Sequence, residues 1–148
     1  MKKKVLFLCT GNSARSQMAE ALLGLIAGDL FEAYSAGTHP AGLNPMTVEA
    51  MKELGVDIAH HRSKHVEQLL GCPFDYVITV CDRAKETCPI FPIARHARHW
   101  SFEDPAAAPP ETRLSVFRSV RDEIADRICR FLVEETGMEP AALRCYRC

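Results

Sequence analysis

The chain of 148 residues has no long hydrophobic run. No stretch approaches the ~18 apolar residues that cross a bilayer, so a membrane span is not expected. It also has no excess charge of either sign, with 18 basic against 19 acidic residues and a formal net charge of −1. Neither a nucleic acid nor a membrane surface would meet a strong field, so neither is an expected partner. The basic start Met1-Lys2-Lys3-Lys4 is followed by only four strongly apolar residues, Val5 to Leu8. That reads as a first strand rather than an export signal, and the expected location is cytoplasmic. There is no repeat, linker or break in composition. Residues 1–148 are therefore expected to form one domain, a monomer, with an irregular tail over 137–148.

Cysteine, by contrast, is plentiful: Cys9, Cys72, Cys81, Cys88, Cys129, Cys145 and Cys148. Without an export signal, seven cysteines point to redox, catalytic or metal chemistry rather than to a disulfide framework, and an odd number cannot all pair.

Apolar runs alternate with helical patterns. Val5 to Leu8 precedes a helix from about Ala14 to Ala27, and Phe31 to Ser35 precedes one from about Pro45 to Leu54. Such alternation predicts βαβ units and a parallel sheet. Asn44-Pro45 is a helix start and Gly55 a stop, with Val48, Met51 and Leu54 as the buried stripe. Asp75 to Val80 is a β-branched run suited to a central strand, and Ala94 to Phe102 reads as a weaker fourth strand. A closing helix is predicted from about Glu111 to Glu135, with Val116, Val120, Ile124, Ile128, Phe131 and Leu132 on one face. In a parallel sheet the loops after strands 1, 3 and 4 share one rim, which brings Cys9, Cys81 and Asp104 together.

The loop Cys9-Thr10-Gly11-Asn12-Ser13-Ala14-Arg15-Ser16 sits between the first strand and the first helix. Its backbone N–H groups and the helix N-terminus converge on one spot suited to a tetrahedral oxyanion. The same positive field favours the thiolate form of Cys9. Arg15 adds a planar fork that matches two oxygens of such an anion, and Ser16 can donate to the thiolate. In Phe102-Glu103-Asp104-Pro105 the proline stiffens the turn at Asp104, whose carboxyl group can protonate a leaving oxygen.

Cys81 and Cys88 are seven positions apart. A helical segment would separate their Cα atoms by roughly 10 Å, against the ~4.4 to 6.8 Å of a disulfide. Pairing them would require the segment to bend or unwind. Cys72 and Cys129 read as structural cysteines. The terminal Cys145-Tyr146-Arg147-Cys148 has no following helix to activate a thiol. His60, His61 and His65 do not make a convincing metal site.

Taken together these residues resemble the thioredoxin-coupled arsenate reductases built on the low-molecular-weight protein tyrosine phosphatase fold. The match covers about residues 3 to 135. It is carried by the Cys9 to Glu20 segment, Tyr34-Ser35-Ala36-Gly37, Asn44-Pro45, Val80-Cys81 with Cys88-Pro89, His99 to Pro105, and Arg118 to Ile124. The resemblance implies a four-stranded parallel sheet in the order 2-1-3-4 with helices on both faces. It implies that Cys9 attacks arsenate held by the amides of Thr10 to Ser16 and by Arg15, with Asp104 as proton donor. Cys81 then attacks Cys9 and releases arsenite, and Cys88 attacks Cys81 to leave a disulfide reduced by thioredoxin. Reduced thioredoxin is the implied electron donor, with glutaredoxin or a small thiol as the other candidates, and no tightly bound cofactor is expected.

In some members Asn12, Glu20 and Ser35 help to hold a potassium ion. Here Arg62 and Lys64 stand where those members carry threonine and aspartate, and the expectation is that the Lys64 ammonium replaces the ion beside Glu20. Two other readings compete with the reductase. A phosphotyrosine phosphatase would share the loop, although Ala106 replaces the tyrosine that usually follows Asp-Pro. A non-catalytic oxyanion sensor or arsenite-binding regulator would need no proton donor at Asp104.

Overall fold

In a computed structural model of the chain, residues 2–81 and 94–139 are described. Cys88, Cys145 and Cys148 lie outside them.

Strand β1 (Lys3–Cys9) is the apolar run after the lysines, buried throughout from Val5 to Cys9. It is followed by α1 (Arg15–Ala27) and β2 (Phe31–Gly37). Helix α2 (Pro45–Lys52) starts as the sequence predicts: Asn44 accepts the Met46 N–H at 2.9 Å and Pro45 occupies the first turn. A 3-10 turn (Val66–Leu69) leads to β3 (Tyr76–Thr79), then β4 (His96–His99), a second 3-10 turn (Pro105–Ala107) and α3 (Arg113–Thr136). Gly137, with φ of 69°, ends α3 in the left-handed conformation and returns its N–H to Val133.

The sheet is parallel throughout, in the order β2-β1-β3-β4, as the resemblance implies. Cys9 pairs in register with Gly37, and Leu8 with Thr79. The loops after β1, β2 and β3 therefore leave the sheet at one level. β4 is shorter than the predicted strand from Ala94 to Phe102, because this edge strand has a neighbour only over Tyr76 to Thr79.

One face of the sheet packs on α1, α2 and α3 through Val5, Phe7, Ile78, Met18, Leu22, Met51, Phe117 and Ile124. The other face is covered by the 3-10 turn and its flanks, with Leu6, Leu8, Val66, Phe74 and Val77 buried together. Both faces thus carry helical elements, unequally among the described residues. The buried stripe of α2 is Thr47, Ala50 and Met51; Val48 and Leu54 are only half-buried at its edge. On α3 the core position is Phe117 rather than Val116, which is likewise half-buried. Among the described residues no helix is long and apolar enough to cross a membrane.

Candidate active site

Every backbone carbonyl from Cys9 to Ala14 is turned outward onto a donor. Cys9 O accepts from Thr38 N at 3.3 Å, Thr10 O from His39 N at 2.8 Å and Gly11 O from Ala41 N at 2.9 Å. Asn12 O takes the Ser63 hydroxyl at 2.7 Å, Ser13 O takes the Thr47 hydroxyl at 2.8 Å, and Ala14 O takes Met18 N at 2.9 Å. Because N–H and C=O point opposite ways across a trans peptide, outward carbonyls leave an inward-facing set of amides. Asn12 completes the turn with φ of 47°, a left-handed conformation that asparagine tolerates better than most residues. The loop also passes so close to β2 that a Cβ on Gly37 would lie 2.6 Å from Thr10 O and 2.9 Å from Asn12 N. Only glycine fits there without displacing the loop.

Inside this cradle the Cys9 sulfur, buried to 2% exposure, accepts the Asn12 N–H at 3.2 Å and lies 2.8 Å from Ser16 Oγ. Asn12 Nδ2 donates to the same Ser16 oxygen at 2.9 Å. Ser16, already accepting, is thereby set to donate to the sulfur, which stabilises a thiolate. Helix α1 begins after Ala14 with no side-chain cap, so the amides of its first turn add to the field over the loop.

A cavity of about 280 Å³ opens over the sulfur, lined by residues of the loop, by His39, Ala41 and Ala106, and by Arg15 and Asp104. Arg15 Nη1 donates to Phe102 O at 3.1 Å, and its Nη2 lies 4.0 Å from Asp104 Oδ2. Asp104 Oδ1 accepts the Ala106 N–H at 3.0 Å, in the turn that the sequence predicts at Asp-Pro. Cys81, 3% exposed, lies at the edge of the loop with its sulfur 3.4 Å from Thr10 Oγ1. Cys9, Ser16, Arg15, Cys81 and Asp104 therefore gather on one rim. Cys88 lies outside the described residues.

The expected role of Lys64 is corrected. Its ammonium donates to Arg62 O at 3.2 Å, while Glu20 meets His61 at 3.3 Å and the Ser35 hydroxyl at 2.9 Å. Lys64 contributes through its backbone instead, donating its N–H to Asn12 Oδ1 at 2.9 Å. The residues also fit a resident potassium ion poorly. Asn12 Oδ1 already receives Lys64 N and Gln17 Nε2, and both Glu20 oxygens face chain donors. Burial holds the His61 pKa below the usual imidazole range, against the opposing pull of Glu20.

Sequence reasoning gave no part to Thr47, weighed His61 and Ser63 only for a metal or cation site, and quoted Gln17 only as part of a motif. Gln17 is fully buried behind the loop and bonds Asn12 O, Asn12 Oδ1 and Arg62 O. Its place two residues after Arg15, polar at a buried helical position, was the one available signal.

The description of the family model that matches residues 4–141 is low molecular weight phosphotyrosine protein phosphatase. An arsenate reductase of Halalkalibacterium halodurans is 47% identical over 138 residues, covering 92% of this chain and 98% of that protein. Arsenate reductase 2 of Staphylococcus epidermidis is 45% identical over 130 residues, covering 88% and 96%. Among solved structures, an arsenate reductase in the phosphate binding state superposes with a TM-score of 0.76 at 29% identity, over 89% of this chain and 98% of that one. A low molecular weight protein tyrosine phosphatase from T. tengcongensis gives 0.70 at 27% identity, over 90% and 99%. On this similarity and the loop geometry, the chain belongs to the low molecular weight phosphotyrosine protein phosphatase family, with the arsenate reductases built on that fold.

Proposed function

We propose that the protein reduces arsenate to arsenite by passing the oxidation from Cys9 to Cys81 and Cys88 and then to reduced thioredoxin. The observation that carries this reading is the second thiol: the Cys81 sulfur stands 3.4 Å from Thr10 Oγ1, beside the loop that holds the nucleophile. A phosphatase has no task for it.

Arsenate enters the cradle of amides and faces Arg15. The Cys9 thiolate attacks arsenic, and Asp104 donates a proton to the departing oxygen, which leaves as water. Asp104 suits this step because its side chain is 48% exposed and can reload its proton from solvent. The Cys81 thiolate then attacks the Cys9 sulfur. The electron pair of the sulfur–arsenic bond passes to arsenic, arsenite leaves, and a Cys9–Cys81 disulfide remains. Cys88 attacks Cys81 and frees Cys9, and the dithiol of thioredoxin supplies two electrons to the Cys81–Cys88 disulfide.

The family's phosphatases share the oxyanion cradle, and the cavity here is bordered by Ala41 and Ala106, with the His39 imidazole as the one ring among its described lining residues. Ala106, directly after Asp104-Pro105, offers an aryl ester no stacking partner at that position. A regulator that only captured oxyanions would gain nothing from Asp104 over Cys9.

One assay separates these readings: purified protein with thioredoxin, thioredoxin reductase and NADPH, following NADPH loss on adding arsenate. Turnover is expected with the native protein and loss of it with Cys9→Ser, Cys81→Ser or Cys88→Ser. Robust arsenate-dependent turnover by Cys88→Ser would falsify the three-thiol relay, and p-nitrophenyl phosphate hydrolysis without arsenate reduction would support a phosphatase.

A further inference from the structure

An unbroken run of hydrogen bonds links the Cys9 sulfur to a half-buried imidazole behind the loop, and the donor sense of each link can be worked out. Gln17 Nε2 faces three oxygens, Asn12 O at 3.2 Å, Asn12 Oδ1 at 3.2 Å and Arg62 O at 3.1 Å. Only the NH2 end of the amide suits that position, so Gln17 Oε1 is the end that meets His61 Nδ1, at 3.2 Å. The other neighbour of Nδ1 is Glu20 Oε2, also an acceptor, at 3.3 Å. Nδ1 therefore carries the hydrogen. At the far end, Asn12 Oδ1 accepts from Gln17 and from Lys64 N, which leaves Asn12 Nδ2 to donate to Ser16 Oγ and Ser16 to donate to Cys9.

We propose that His61 is a positioning residue for the Cys9 nucleophile: its Nδ1–H anchors Gln17, which holds Asn12 in the orientation that makes Ser16 a donor to the sulfur. The proposal rests on the reading of Cys9 as the nucleophile and extends the site to a residue that touches no substrate. Gln17 is fully buried, so without His61 its Oε1 would be an unmet buried acceptor. The amide would swing to find another donor and release Asn12 Oδ1, loosening the chain at its second link. The charged and titratable groups around the imidazole are Glu20 on α1 and Asp57, His60 and Lys64 on the segment that carries it. Burial favours its neutral form, whose one Nδ1 hydrogen is shared between Gln17 Oε1 and Glu20 Oε2.

The test reads the thiol itself, in reduced protein without arsenate or thioredoxin, as the rate of iodoacetamide modification of the Cys9 peptide at one neutral pH. His61→Phe, which keeps a ring and loses the donor, should slow Cys9 by roughly five- to tenfold, about the worth of one ordinary intramolecular hydrogen bond. His61→Asn, which restores an N–H near the Nδ1 position, should recover the native rate to within about twofold. In a Ser16→Ala background His61→Phe should add no further slowing, because the chain then ends before the sulfur. Gln17→Met breaks the next link and should match His61→Phe; it also serves if the phenylalanine variant does not fold. Native reactivity in both His61→Phe and Gln17→Met, or multiplying effects of His61→Phe and Ser16→Ala, would overturn the proposal. Failure here leaves the arsenate reading standing, since native turnover in the coupled assay tests that separately.

Discussion

Cys9 is 2% exposed in a loop whose six carbonyls from Cys9 to Ala14 all have donors, whereas Asp104 faces it from a turn where its side chain is 48% exposed. One carboxylate oxygen has the Ala106 N–H, and the other, among the described residues, has Arg15 at 4.0 Å. The difference follows the roles proposed for the two residues, Cys9 as thiolate nucleophile and Asp104 as proton donor. A thiolate needs a fixed field, because its stabilisation comes from donors that do not reorganise during attack. A proton donor must be reloaded every cycle, so it needs water on one side. Rigidity is concentrated where charge is held, and access where protons are exchanged.

Substitutions on the two sides should fail in different ways. Asp104→Asn keeps the acceptor for the Ala106 N–H but cannot donate an acidic proton, so arsenate turnover should fall by ~10² to 10⁴ while the urea midpoint stays unchanged. A stability loss to match would place Asp104 among the structural residues of the loop. Arg15→Lys replaces a fork with a point charge and removes the contact to Phe102 O; turnover should drop by ~10² to 10³, with KM for arsenate raised. Gly37→Ala strikes the rigid side from behind. Its Cβ would meet Thr10 O at 2.6 Å, so unfolding free energy should fall by about 1 to 3 kcal/mol, with lower activity in whatever remains folded.

The smallest effect concerns neither side of the cavity. Glu53 joins α2 to α3, and its pKa is held low by the Arg118 hydrogen bonds, with Arg121 adding to this and burial opposing it. A depressed carboxylate stabilises the fold above its ordinary value of 4.5, and that stability is lost as the pH falls from there through the folded value. Thermal unfolding of Glu53→Gln should show a shallower loss of stability with acid over that range. Identical acid limbs in both proteins would remove Glu53 from the account.

The rigid side was legible as a motif but not as a mechanism of rigidity. Strand, small-residue loop, arginine and helix follow in order along the chain, and hydrophobic periodicity places them without help. Besides the backbone amides after β2, the loop is held by Thr47, Ser63 and Lys64, 34, 51 and 52 residues from their acceptors. Single side-chain or backbone bonds across such distances leave no periodic trace in a sequence. Lys64 shows the limit clearly: its charge suggested a partner for Glu20, while its backbone N–H, which any residue but proline supplies, makes the contact with Asn12. The same limit applies to the buried stripes, where spacing chose Val48 and Val116, and packing chose Thr47 and Phe117 one residue away. Asp104 was easier, because its proline is adjacent and the turn is local.

The missing cap at Ala14 has a thermodynamic meaning as well as a catalytic one. An α-helix starts with N–H groups that its own backbone cannot satisfy, and proteins usually close that account with a side chain. On the proposed mechanism the oxyanion meets those N–H groups, so ligand and polypeptide together would finish the helix. Folding and binding would then be linked by mass action: oxyanion concentration would become a variable of the protein's stability, and the occupied enzyme the more completely folded one.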